Sequence, residues 1–155
     1  MDDKRQFFRH ALATVAYRAS RALDGAPGDF ADFSGCGRTP GEIVAHMGDL
    51  FDWALSIAEG SERWKNSTRL PWEEEKRRFF AALTAFDNYV AGTEPVHAEL
   101  ERLFQGPLAD AINHVGQLAM MRRLAGYKIA GENFYLAGIK AGQAGAEQPK
   151  PVKTF

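Results

Sequence analysis

Apolar residues recur at helical spacing along most of the chain, and polar breaks cut the pattern into segments. Between Asp3 and Leu23, Phe7, Leu12, Val15 and Leu23 fall near one face, with Arg and Lys between them. Asp2 and Asp3 stand at the start, where a helix dipole favours negative charge. "DGAPGDFADFSGCG" ends this pattern, because Gly, Pro and Asp crowd into it. "TPGEIVAHMGDLFDWALSIAEG" carries a full helix-start signal. Thr39 is the predicted N-cap, Pro40 falls at the first helical position, and Glu42 completes a capping box. Ile43, Met47, Leu50, Phe51, Ala54 and Ile57 form its apolar stripe, and Gly60 is the predicted stop.

"SERWKNSTR" reads as a polar loop. "LPWEEEKRRFFAALTAFDNYVAG" predicts a third helix, with Pro71 near its start, three glutamates in the first turn and Gly92 behind it. "TEPVHAELERLFQG" predicts a break at Pro95, then either a short helix or a kinked continuation of the third. A fourth long helix is expected from near Pro107 to near Gly126, with Ile112, Val115, Ala119, Met120 and Met121 reading as core. "GENFYLAGIK" predicts a last short helix, and the tail "AGQAGAEQPKPVKTF" no stable structure of its own.

No segment shows strand alternation. The expected fold class is therefore all-α: a four-helix bundle of up-down type, its main helices antiparallel. Its long first connection runs either over the bundle end or along its side, and a short extra helix follows at the C-terminus. Residues 1–140 are expected to form the bundle domain and residues 141–155 the tail.

Composition alters little in this picture. A chain of 155 residues, 45% hydrophobic and 25% charged, is expected to form one ordinary globular domain. The formal net charge of -1 gives no electrostatic footprint for nucleic acid. The single cysteine, Cys36, excludes an intrachain disulfide and fits a reducing compartment. "MDDKRQFFRH" lacks the apolar run of a signal peptide, and no stretch approaches the roughly 20 apolar residues of a membrane span. A cytoplasmic protein without membrane or nucleic-acid partners is expected. Trp53, Trp64 and Trp72 are surplus aromatics of the kind interfaces favour, which points to a homodimer.

The candidate chemistry lies in polar residues on inner faces. His46 sits four residues after Glu42, amid the apolar positions of the second helix. Asp110 and His114 are four apart, hence neighbours on one face of a later helix. Groups from two helices can converge inside a bundle, as in metal-binding bundles. Two imidazoles and a carboxylate suit a divalent metal, zinc or nickel foremost, and leave positions open for water or a small-molecule ligand. The competing reading is a satisfied core histidine at each position, with Asp110 placed for the helix dipole.

Other residues carry weaker signals. His10 and His97 lie among charged neighbours and read as exposed. Cys36 in "SGCGR", a flexible loop, is either a nucleophile or an inert thiol, and the second is favoured because no sequence feature activates it. "EEEKRR" reads as a solvated face. "GCGRTPGE" puts glycines before a helix start, which suits anion binding, but no strand precedes it.

"TPGEIVAHMGDLFDWAL" resembles the second-helix motif of the DinB-like (DinB/YfiT-like metalloenzyme) superfamily. "DAINHVGQLAMMRRLAG" resembles its later helix, where a pattern like His-x-x-x-His-Arg-Gly-Gln is followed by an apolar helix ending in Gly. "GENFYLAGI" is similar to the segment that follows. The resemblance covers most of the chain, in order. It implies a four-helix bundle, often dimeric, with a three-His divalent-metal site. His46 matches the second-helix ligand and His114 the second His of the later motif, while the first His falls on Asp110. The resemblance further implies either of two functions. One is a metal-dependent S-transferase or isomerase using a low-molecular-weight thiol such as mycothiol, bacillithiol or glutathione. The other, favoured by the departure at Asp110, is a non-catalytic metal- or ligand-binding bundle linked to stress.

Overall fold

The computed structural model describes residues 2–155. Asp2 caps the first helix, α1 (Asp3–Leu23), by accepting from the Arg5 N–H at 2.8 Å. The predicted capping box opens α2 (Pro40–Ala58): Thr39 Oγ1 accepts from the Glu42 N–H at 3.3 Å, and Glu42 Oε2 accepts from the Thr39 N–H at 2.7 Å. Helix α3 spans Trp72–Ala91 with its three acidic residues in the first turn. A short α4 (Leu100–Leu103) leads through a π-turn, Phe104–Leu108, into α5 (Ala109–Leu124). No strand occurs among the described residues, and an isolated bridge pairs Glu132 with Thr154. The chain is the all-α bundle that its periodicity predicts.

The helix directions differ from plain alternation at one step. Arg9 near the start of α1 grips Asp87 near the end of α3 at 2.9 and 2.8 Å, so these two are antiparallel. Arg122 near the end of α5 donates to Ala22 O and Asp24 O at the end of α1, and Lys4 meets Glu101 at the other end, so α1 and α5 run parallel. Helices α2 and α3 are also parallel. Arg69 lies on Gly41 at one end, and the His97 N–H donates to Ala58 O at the other. The order is up, down, down, up.

Segment 59–71 makes this possible by doubling back along α2. Its backbone would leave N–H groups stranded there, and side chains satisfy them. Ser56 Oγ accepts from the Arg63 N–H at 2.9 Å, Asp49 from the Ser67 N–H at 3.0 Å, and Glu75 from the Leu70 N–H at 2.6 Å. The first connection runs over the bundle end. Phe30, in a 3-10 turn (Gly28–Asp32), is fully buried and sets its ring edge-on to Trp72 and Tyr127.

Several expectations about single residues change. Phe7 is 71% exposed and Phe8 takes its place in the core, because Phe8, Leu12, Val15 and Ala19 keep helical spacing whereas Phe7 lies five residues before Leu12. In α5 the buried face is Ala111, His114, Val115, Leu118, Met121 and Arg122, so Ile112 and Met120 lie outside. Helix α5 starts at Ala109, near Pro107 as expected, though Pro107 itself lies just before it. This proline sits inside the π-turn, where the widened hydrogen-bond pattern tolerates a residue without an N–H, and the helical run begins at Leu100. After Pro95 the chain breaks and forms the short helix α4, the first of the two expected alternatives, which leads on into α5. The expected last helix is a single 3-10 turn, Phe134–Leu136. The tail has no helix or strand of its own and packs on the bundle. Ala144 is buried, and the Phe155 N–H donates to Gly131 O at 2.9 Å. Glu132 anchors this region to α1 through the Tyr17 hydroxyl and Arg21.

The tryptophans expected at a dimer interface have partners within the chain. Trp72 is buried and donates to Ala26 O, Trp53 donates to Glu62, and Trp64 packs edge-on against Trp53. No described helix is long and apolar enough to cross a membrane.

Candidate metal centre

Helix α2 presents His46 towards α5, whose first two turns present Asp110 and His114. The π-turn immediately before α5 matters here. One residue more or less turns every later side chain by about 100° around the axis, so the bulge decides which face of α5 meets α2. His46 Nε2 lies 3.4 Å from Asp110 Oδ2, and His114 Nε2 lies 3.5 Å from Asp110 Oδ1. The two imidazoles stand edge-to-face with centroids 4.9 Å apart. One donor atom from each residue falls within 4.8 Å of the other two.

Gln117 determines which nitrogen of His114 is free. Its side-chain oxygen lies 2.8 Å from His114 Nδ1, a contact that favours the tautomer in which Nδ1–H donates. Nε2 then holds a lone pair aimed at a carboxylate oxygen. Burial pushes the His46 imidazole below its usual range, with His114 and Arg38 adding to the effect and Asp110 opposing it. His46 is therefore predominantly neutral at pH 7. Two imidazoles and a carboxylate converge, and the contact between His114 and Asp110 sets acceptor against acceptor unless a proton or cation lies between them.

The spacing fits such a cation. Donors held at about 2.1 Å in a tetrahedron lie about 3.4 Å apart. The two imidazole–carboxylate spacings are of this size, one to each oxygen of Asp110. His114 is buried, while the Asp110 side chain is 45% exposed, which leaves one flank open. Trp64 packs edge-on to His46 at 5.8 Å and shields the opposite flank. An open cleft of about 570 Å³ adjoins the site between residues 36–38 and α5, reaching His114 and Gln117.

All three predicted ligands are thus brought together. His10 and His97 are exposed and lie outside the site, and Cys36 is an exposed thiol on the rim of the cleft. The phosphate-loop reading of "GCGRTPGE", weak without a preceding strand, finds no support at the helix start, where the Glu42 carboxylate and the Thr39 hydroxyl form the capping box. The roles of Gln117 and Trp64 are not predicted from sequence. A Gln three residues after a helical His is a signal for the first. The second depends on segment 59–71 folding back, and no local pattern announces it. No family model, curated protein or solved structure matches this chain.

Proposed function

We propose that His46, Asp110 and His114 hold a divalent metal, zinc or nickel, with open coordination positions. On this reading the chain is a metal-dependent enzyme of the kind the DinB-like resemblance implies, acting on a low-molecular-weight thiol. The observation that carries the proposal is the convergence of two imidazoles and a carboxylate, with Gln117 on the Nδ1 side of His114 and its Nε2 facing the carboxylate.

A coordinated thiol is deprotonated at neutral pH, which is the chemistry such a centre supplies when loaded. The protein's own groups have separable tasks. Asp110 offsets one positive charge. Gln117 holds the His114 ring and its tautomer, as outer partners of metal-bound imidazoles do. Trp64 keeps water from one side of His46, and the exposed flank of Asp110 leaves an approach for substrate.

Elemental analysis of protein purified without chelator tests the centre. Near-stoichiometric zinc or nickel is expected, lost in His46→Ala and kept in Asp110→His. Unchanged metal content across these variants rejects the site. Cobalt-substituted protein then tests the chemistry. A sulfur-to-metal charge-transfer band on adding glutathione or another small thiol supports thiol activation. Its absence with the metal retained favours the non-catalytic metal-binding bundle.

A further inference from the structure

We propose that the cleft beside the triad binds a small organic carboxylate, with Arg38 as counter-ion and Ile43, Met120 and Met121 as the bed for its apolar part. The proposal rests on reading His46, Asp110 and His114 as a metal centre.

The cleft joins three features that rarely share one wall. His114 brings it to the triad, Arg38 gives it a cation, and Ile43 with the two methionines gives it an apolar floor. Arg38 is exposed and makes no ion pair among the described residues, whereas Arg69 and Arg78, beside the same helix, are both paired. Arg38 acts only weakly on Glu42, whose Oε2 is taken by the Thr39 N–H and hydroxyl. Charge points the same way. A divalent cation on two neutral imidazoles and one carboxylate leaves one net positive charge, and Arg38 adds a second. The occupant is therefore an anion.

A single guanidinium matches a carboxylate, which it can grip through two parallel hydrogen bonds. The apolar floor selects against a small, strongly hydrated ion and for an alkyl or aryl chain. Gly116 supplies the room: a Cβ there would meet nothing within 4 Å. Met120, exposed on the outer face of α5, is the flexible side chain that can close over such a chain.

The test uses the zinc-loaded full-length protein, with hexanoate and the uncharged hexanamide as probes. Cys36, the sole thiol, lines the cleft, so its alkylation rate by iodoacetamide reports occupancy. Hexanoate is expected to slow alkylation saturably, with hexanamide weaker by roughly tenfold. Arg38→Gln is expected to lose a similar factor for hexanoate while zinc content stays unchanged. Gly116→Leu, which fills the open space on a helix face, is expected to abolish protection with the helical circular dichroism intact. Equal protection by hexanamide, or full hexanoate affinity in Arg38→Gln, overturns the proposal. Zinc measured on the same samples separates the two readings. Zinc retained without hexanoate binding defeats the carboxylate site alone. Arg38-dependent hexanoate binding without zinc defeats the metal centre and leaves the anion site standing.

Discussion

On one side of α2, Arg78 reaches from α3 into a notch at Gly48 and meets Asp49, Asp52 and Glu75. On the other, His46 reaches towards α5 and meets Asp110 and His114. Both are polar clusters set partly inside a bundle. In the first, donors and acceptors match: Arg78 also donates to Ala45 O at 3.0 Å, while Asp49 and Glu75 accept from the Ser67 and Leu70 N–H groups. In the second, the imidazole–carboxylate spacings exceed a good hydrogen bond, and a lone pair faces a carboxylate. The matched cluster pins segment 59–71 and so holds Trp64 over His46. On our proposal the unmatched cluster is completed by a cation from outside. Burial alone does not tell a structural cluster from a binding site; the balance of donors and acceptors does.

The largest expected contrast is in stability without metal. Arg78→Met strands the buried Asp49 and Glu75 carboxylates, and urea denaturation should show a loss of about 3–5 kcal/mol. His46→Ala in metal-free protein should cost about 1 kcal/mol or less, since no matched bond is broken. A loss in His46→Ala equal to that in Arg78→Met would make the triad a structural cluster after all. Next comes the response to zinc. At about 100 times its Kd, zinc should raise the stability of the parent by about 2.7 kcal/mol. It should leave His114→Ala unmoved, read in the same denaturation experiment.

A smaller effect separates the ligands from their support. Gln117→Leu keeps all three ligands but frees the His114 ring, so zinc affinity should fall about 10- to 100-fold by competition with a chelator dye. An unchanged affinity would show that the tautomer is set otherwise. The smallest effect at ordinary pH belongs to Tyr17, whose hydroxyl donates to Glu132. Burial, with the hydrogen bond to Glu132, pushes this phenol up to about 12 from 10.0. The folded state therefore favours the protonated form. Its contribution is fully present below pH 10 and is lost as pH rises through about 12. Tyr17→Phe should flatten the fall of the urea midpoint over that window.

Periodicity and caps suffice for the helices, because a helix is stabilised by residues three or four apart and by groups at its own ends. Thr39, Pro40 and Glu42 open α2 as predicted, and the glycines at 60 and 92 close α2 and α3. The pairing of Asp110 with His114 is local too, being one turn of one helix. What reads poorly from sequence is the choice of face. Phe7 against Phe8, and Ile112 against Ala111, differ by one position, and only the neighbouring helix decides between them.

The same division runs through the candidate site. Residue types, the one-turn spacing in α5 and the inward place of His46 are properties of the chain taken segment by segment. That His46 meets the pair at all depends on two long-range events. The π-turn around Pro107 sets the face that α5 shows, and segment 59–71 turns back so that α2 and α3 run parallel and Trp64 arrives over His46. Neither event leaves a local signature, because each is stabilised by contacts between residues far apart in sequence, and those contacts exist only once the bundle has formed.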